Sequence, residues 1–490
     1  MNRLILLKEF IMKIKYITSK LLLALAIGCF VSFASCSDDI NIGKNIDESE
    51  YEDIYTNNAY LRDGKTNLVS NIVELYQDEY TTSVKLGLTK TPTSTTSAKV
   101  KVDAEYLAAY NLEHETDFEL YPVDAISLDN NGTFTINGSI KTAEVGLSIK
   151  GNDTLDKDKT YAIPLTIIEN SSDISTNGER AKHCIYFVKD MRHLADVYKG
   201  DDVVKGFLFL EVNNVNPLNA FSFELENGKL IWDVVVLFAA NINYDAEAGR
   251  PRVQNNPNVQ FLLDNNETYL QPLRKRGVKV LLGLLGNHDM AGLAQLSDQG
   301  AKDFARELAQ YCKAYNLDGV NFDDEYSKSP DPSNPALTNI SKKAAARLCY
   351  ETKQMMPDKL VTVFAYGYMY GESSVDGVDA KEWIDIVVPN YGSRAYPIGQ
   401  LTNKECAGLA AEFNLNIGSS LTPKNAQSLI SNGYGWHMGF DLKPTNFARS
   451  ATRLTGLETL YGSKLKDITT YYKNRDPKPY EYKNDGSVTN

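Results

Sequence analysis

The chain has 490 residues, 43% hydrophobic, 10% aromatic and 23% charged, so it can bury substantial cores and has neither a fibrous nor a disordered composition. At roughly 100 to 200 residues per domain, this length predicts two or three domains. Its 51 Lys and Arg against 63 Asp and Glu give a net charge of -12, which excludes a nucleic-acid or anionic-membrane surface, since phosphates require a basic footprint.

Near the start, Met12 is followed by Lys13, Lys15 and Lys20, the apolar run LLLALAIGCFVSF and Ala34-Ser35-Cys36. A run this short does not span a bilayer, and small residues before a Cys mark a cleavage site, so residues 1–35 are expected to be a removed export signal. The arrangement resembles a bacterial lipoprotein signal, which implies lipidation at Cys36 and membrane attachment through that lipid alone. Residues 36–50 read as a linker. The remaining cysteines, Cys184, Cys312, Cys349 and Cys406, are scattered and form no CxxC pair, so neither a metal cage nor an obligatory disulfide is expected.

From 51 to 192 the chain shows short alternating runs (TTSVKLGLTK, SAKVKVDA, GTFTING, TAEVGLSIK, YAIPLTII, HCIYFVKD) separated by Gly, Asn, Asp and Pro turns. Period-two alternation with regular turn signals predicts an all-β sandwich, a module for binding or spacing. The Asp-rich stretch NDTLDKDK lacks the Gly and terminal Glu of an EF-hand loop and reads as a solvated loop.

Over 195–475 the pattern changes to buried apolar runs alternating with helical stretches, as in parallel β/α units. Eight strands are predicted, at 205–212, 232–240, 278–286, 317–323, 360–366, 384–391, 414–420 and 433–442, with amphipathic helices over 297–316 and 335–356. Eight strands over this length predict an α/β fold of the (β/α)8 TIM barrel type, preceded by the sandwich. A doubly wound open sheet is the alternative, but no Gly-rich phosphate loop supports it. Residues 476–490 form a tail.

A barrel carries its chemistry at the C-terminal ends of its strands. The fourth run ends Asp318-Gly319-Val320-Asn321-Phe322-Asp323-Asp324-Glu325-Tyr326. Alternation turns Val320 and Phe322 toward the helices, which leaves Asn321, Asp323 and Glu325 on the inner face. Two inward carboxylates one pleat apart do not readily ionise together, so one is expected to stay protonated near neutral pH and to be available as an acid. The motif Gly286-Asn287-His288-Asp289 superficially suggests a metallophosphatase. With five His in the chain (His114, His183, His193, His288, His437), no upstream D-x-H and no later G-H-x-H, a dinuclear centre cannot be assembled.

This segment resembles glycoside hydrolase family 18, whose signature at the end of the fourth strand is D-G-x-D-x-D-x-E. Asp318, Gly319, Asp323 and Glu325 match, while Asn321 stands in for the first inward Asp. FDDEY, LEVNNVNPLNA, DVVVLFAANINYD and LLGNHDMAG look more closely like the endo-β-N-acetylglucosaminidases of that family. The resemblance implies hydrolysis of the GlcNAc-GlcNAc core of N-glycans with net retention, the substrate's own 2-acetamido oxygen acting as nucleophile and no cofactor or metal taking part. It implies Glu325 as acid and then base, Asp323 orienting the acetamide, and Tyr391 bonding its carbonyl. Asn321, Asn390, Asn287 and His288 are the expected substrate contacts, and Trp436 the aromatic floor under the sugar. With Asn321 in that position, Asp323 is expected to depend more on Glu325 for its protonation.

A chitinase of the same family and a catalytically weak glycan-binding lipoprotein are the alternatives. The expected partners are glycoprotein N-glycans and no nucleic acid, and the protein is expected to be a monomer. The Ser37-Asp38-Asp39 that follows Cys36 resembles the sequence that directs lipoproteins to the outer surface of Gram-negative glycan degraders, which implies an outer-membrane location facing outward. Glycan branching is expected to be read by the loops 241–257 and 327–339.

Overall fold

The computed structural model describes residues 57–176 and 181–483. The expected signal 1–35, the linker 36–50 with Cys36, and 484–490 lie outside the described residues. The chain divides into two compact units, one made of the segments through Asn71, Thr81–Ile149 and Ala162–Phe187, the other of Ile72–Tyr80, Lys150–Tyr161 and the chain from Val188 onward.

In the N-terminal part, one sheet has the strand order Ile174–Ser175, Asn57–Asp63, Glu79–Leu88, Thr142–Lys150, Ile126–Leu128. A second runs Ser70–Leu75, His183–Asp190, Thr160–Asn170, Thr96–Val102, Thr133–Ile136, with Glu119–Leu120 against Thr160–Asn170. Alternation buries Val84, Leu86 and Leu88 on one strand and Val145, Leu147 and Ile149 on another, so each strand places one face in a core. The sequence did not predict the helix Ala104–His114, whose N-terminus is capped by the Asp103 carboxylate accepting from the amides of Glu105 (3.1 Å) and Tyr106 (3.2 Å). It buries Leu107 and little else, so no apolar stripe marks it in the sequence. In the Asp-rich loop, Asn152 and Asp156 side chains accept from Thr154 and Asp158 amides at 3.0 Å each, forming local turns.

The second unit holds eight parallel strands: β1 (Lys205–Glu211), β2 (Trp232–Asp245), β3 (Lys279–Leu285), β4 (Gly319–Asp323), β5 (Leu360–Ala365), β6 (Ile386–Pro389), β7 (Ala407–Glu412) and β8 (Trp436–Phe440). They pair in the order β6-β5-β4-β3-β2-β1-β8-β7. A parallel bridge between Val387 and Cys406 joins β6 to the chain entering β7, so the two ends of the row meet. Inside, Phe207, Phe209, Val234, Val236, Leu281, Phe364, Val388 and Met438 form one apolar cluster. The alternate residues Leu208, Val235, Leu282, Val320 and Phe322 belong to a larger cluster that includes Phe304, Leu308 and Cys312 of α1 (Asp298–Ala314) and Leu348 and Cys349 of α2 (Lys342–Met355). Cys312 and Cys349 thus serve as small core residues.

Three expectations are corrected. The seventh parallel strand is Ala407–Glu412, not 414–420; Ile417–Gly418 instead folds back antiparallel on Ala411 and Glu412. Ala and Gly carry weak strand propensity, yet a side chain at Gly408 would meet the Tyr434 ring at 2.5 Å, so packing demands a small residue there. The helix predicted from 335 begins at Lys342, where the Ser341 hydroxyl accepts from the Ala344 amide at 3.1 Å. The 241–257 segment is no simple loop, because β2 continues to Asp245 and pairs antiparallel with Arg250–Gln254.

At the N-terminal end of the strands one device repeats three times. Asp233, Asp318 and Asp385, each just ahead of or opening β2, β4 or β6, accept the amide of Gly206 (2.8 Å), Val280 (3.0 Å) or Val361 (2.7 Å) on the neighbouring strand. Each also binds a partly or wholly buried base: Lys199 at 3.0 Å, Arg274 at 2.7 Å and Lys353 at 2.9 Å. A carboxylate fixed by an amide and a cation pins the register between adjacent strands.

Candidate active site

β4 delivers Asp323 at its last residue, paired with Leu285 of β3, and the chain then turns through Asp324 and Glu325. The turn is locked to the loop after β3, where the His288 amide donates to the Tyr326 carbonyl at 2.7 Å and the Lys328 amide to the Asp289 carbonyl at 2.8 Å. His288 (φ 52°) and Tyr326 (φ 62°) both adopt left-handed backbone, and a Cβ on Gly286 would lie 2.1 Å from the Glu325 carbonyl, so only glycine lets the two loops approach this closely. Glu325 therefore lies two residues beyond the end of β4, half-buried.

Asp323 is 5% exposed, and its Oδ1 has no hydrogen-bond partner. Burial first, then the charges of Glu325 and Asp324, push its carboxyl up to about 8, so it holds a proton at neutral pH as the sequence predicted. Burial is the leading cause, ahead of the coupling to Glu325. Burial also raises Glu325, with the Asp324 charge adding to it and the Tyr326 hydroxyl opposing. Asp324 is raised by burial while its Oδ2 accepts from the Tyr368 amide at 3.4 Å.

Asn321 is wholly buried; its Nδ2 donates to Thr362 Oγ1 at 2.8 Å and that hydroxyl donates to the Val320 carbonyl at 3.1 Å. It lies at mid-strand, two residues before Asp323, and its Oδ1 is buried without a hydrogen-bond partner. Tyr391 follows β6 with its ring among Phe364 (6.4 Å) and Phe440 (5.8 Å). Burial raises its hydroxyl, and the carboxylates of Asp323, Glu412, Glu325 and Asp441 raise it further, so it is a neutral donor. Asn390 turns its Oδ1 back to the Tyr391 amide at 2.7 Å and lines a cavity of about 300 Å³ together with Tyr366, Tyr370, Arg394 and Tyr396. Asn287 is exposed and donates to Asn243 Oδ1 at 2.9 Å, and the His288 ring stands edge-on to Tyr326 at 5.9 Å, both at the rim beside Glu325.

Trp436 is not among them. It opens β8, aligned with Lys205 at the start of β1 and Ala407 at the start of β7, and lines a cavity of about 360 Å³ with Lys199, Lys205, Asp233 and Lys279 at the N-terminal end of the strands. The aromatic residue that β8 carries to the C-terminal end of the strands is Phe440, 5.6 Å from Phe238 and beside Tyr391. Sequence reasoning also missed Glu211 and Glu412, which end β1 and β7, and Asp441, which follows β8. Their signal was position: each closes or follows a buried apolar run.

Residues 51–174 match a protein-family model described as an N-terminal domain. Endo-β-N-acetylglucosaminidase F1 of Elizabethkingia meningoseptica is 44% identical over 279 residues, 55% of this chain and 81% of that protein. Crystal structures of EndoBT-3987 from Bacteroides thetaiotamicron, with a Man5GlcNAc product and with a Man9GlcNAc2Asn substrate, align at 67% and 62% identity. Each covers 87% of this chain and the whole of the other, with a TM-score of 0.59. A carboxyl pair at the end of one strand beside a tyrosine, together with this extent of identity, assigns the chain to the endo-β-N-acetylglucosaminidase family.

Proposed function

We propose that this chain is a family 18 type endo-β-N-acetylglucosaminidase that hydrolyses the β-1,4 bond of the GlcNAc-GlcNAc core of N-glycans. Its architecture would be a closed (β/α)8 barrel following an N-terminal sandwich. Export with lipid at Cys36 to the outer cell surface completes the proposal. One observation supports the function: buried Asp323 ends β4, half-buried Glu325 follows it, and Tyr391 follows β6 at the same C-terminal end of the strands, near enough for both carboxyls to raise its hydroxyl.

Two carboxyls two residues apart in one segment suit a particular division of labour. A carboxylate nucleophile must stand across the sugar from the acid, about 5 to 5.5 Å away, and neighbours in one turn approach from the same side. The proton that Asp323 holds at rest passes to Glu325 as the sugar binds, so the acetamido oxygen of the substrate attacks the anomeric carbon while Glu325 gives that proton to the departing glycosidic oxygen. Asp323 accepts from the acetamide N–H and Tyr391 donates to its carbonyl, aligning that oxygen and spreading the positive charge of the oxazolinium. Glu325, now a carboxylate, deprotonates the water that reopens the ring, so the product keeps the β configuration and the acid is restored.

Incubating the protein with a glycoprotein bearing high-mannose or complex chains, and weighing both products, tests this. The expected outcome is glycan release with one GlcNAc left on asparagine, lost by at least about 100-fold in Glu325→Gln. No release from either glycan class, or release of chitobiose from chitin oligomers instead, would overturn the proposal.

A further inference from the structure

Three carboxylates stand at the ends of the adjacent strands β7, β8 and β1, and their hydrogen-bonding differs. Glu412 Oε1 accepts from the Asn414 amide at 2.9 Å and its Oε2 from the Leu415 amide. Glu211 Oε1 accepts from the Asn213 amide (3.3 Å) and side chain (2.6 Å). Both are thus engaged by their own loops. Asp441 is held in left-handed backbone (φ 62°), with its amide on the Phe209 carbonyl at 3.0 Å and its Oδ2 on Lys443 Nζ at 2.8 Å. The residue is 3% exposed, and Oδ1 has no hydrogen-bond partner. Leaving a buried acceptor unpaired is costly, and a ligand that supplies the missing donor recovers that energy on binding.

We propose that Asp441 Oδ1 is a substrate-binding acceptor for a ring hydroxyl of the saccharide that Tyr391 holds. Asp441 adjoins Phe440, whose ring is 5.8 Å from Tyr391, and its charge is felt at the Tyr391 hydroxyl, so the carboxylate and the tyrosine address one space. Phe440 and Phe238 offer the apolar wall against which the carbon face of a pyranose packs, leaving its hydroxyl edge for Asp441. A neutral donor fits better than a cation. Lys443 already neutralises the carboxylate, and among the described residues no group of three His, Cys, Asp or Glu side chains converges as metal ligands would.

The inference rests on the proposed function, and the test separates the two. A high-mannose asparagine-linked glycopeptide is titrated calorimetrically into Glu325→Gln and into Glu325→Gln/Asp441→Asn, while the wild type is assayed for cleavage of the same glycopeptide. The expected result is an affinity loss on the order of ten- to a hundredfold from Asp441→Asn, with KM raised more than kcat is lowered in the otherwise wild-type background. Should Asp441→Asn fail to fold, Asp441→Glu retains the charge for Lys443 but displaces the acceptor by a methylene, and the same loss is expected. Affinity unchanged within twofold in a folded variant, with wild-type cleavage intact, overturns the Asp441 assignment alone. Absence of wild-type cleavage overturns both.

Discussion

Asp323→Asn removes a carboxyl that burial and two neighbouring carboxylates push from 3.8 up to about 8. In the unfolded chain that group titrates near 3.9, so between about pH 4 and pH 8 the folded protein holds a proton that the unfolded chain has released. Stability therefore falls as pH rises through this window, by up to about 1.36 kcal/mol per unit, and levels off above pH 8. The contribution of the protonated carboxyl is fully present below about pH 4. Asparagine is nearly isosteric and does not titrate, so the variant gains on the wild type as pH rises. From pH 5 to pH 9 the gain works out at about 4 kcal/mol if no water enters to solvate the ionised carboxylate. The three tryptophans, Trp232, Trp383 and Trp436, all belong to the second unit, so their fluorescence during urea unfolding reports on the part that carries Asp323. Unfolding free energies of both proteins at pH 5, 7 and 9 supply the difference. A gap that changes by less than about 1 kcal/mol over that range would refute the reasoning, because Asp323 would then titrate as an ordinary surface carboxyl.

Tyr391→Phe should lower kcat/KM by roughly ten- to a hundredfold on a glycopeptide while thermal stability holds, because the ring contacts with Phe364 and Phe440 survive and one donor is lost. Asp318→Asn should destabilise the second unit by about 3 to 5 kcal/mol at pH 7, since Arg274 would be left without its partner. Arg274 and the Val280 amide outweigh burial and hold Asp318 below its usual value, so the stability it lends is present above about pH 4 and fades as pH falls through that lowered value; urea unfolding of wild type and variant at pH 7 and pH 3 should show the gap closing. Gly286→Ala should cut kcat with the protein still folded, as the new methyl drives the Glu325 carbonyl out of place; kcat within twofold of wild type would contradict the proposed stitching of the two loops. Trp436→Ala should lower the melting temperature and leave KM for the glycopeptide unchanged, given its position at the opposite end of the strands.

Much of the fold was legible because burial writes itself into composition. The runs VVVLFAA, VLLGLL and TVFA are apolar on consecutive residues, which only a strand covered on both faces tolerates, and seven of the eight parallel strands were found that way. The eighth, AGLAAE, was not. It contributes Ala407 and Ala410 to the interior and Ala411 to the outer packing, small residues that fit because Tyr434 and Phe440 fill the adjacent space. Such fit is a property of the neighbours and leaves no periodic mark on the segment itself. The same holds for Trp436. The run GYGWHMGFDL was identified as a strand, but its direction of use depends on where the strand begins relative to β1. Pairing of Trp436 with Lys205 fixes that register, and four residues at roughly 3.3 Å each then separate Trp436 from Phe440, enough to move an aromatic ring from one end of the parallel strands to the other.

The segment from Asp318 to Glu325 shows why a short motif can be read correctly in type and wrongly in detail. Its first carboxylate belongs to a structural series shared with Asp233 and Asp385, each bound to a base and to the amide of the next strand, so the same pattern of an apolar residue followed by Asp recurs as Trp232-Asp233, Leu317-Asp318 and Ile384-Asp385. Asn321 sits at mid-strand, where an amide can satisfy Thr362 without a charge in a place no water reaches. Asp323 closes the strand and Glu325 lies past it, half-buried. Along this single segment the groups run from a paired anion through a neutral amide to a buried acid held protonated and then a half-buried carboxyl, the order on which the proposed division between stability and chemistry rests.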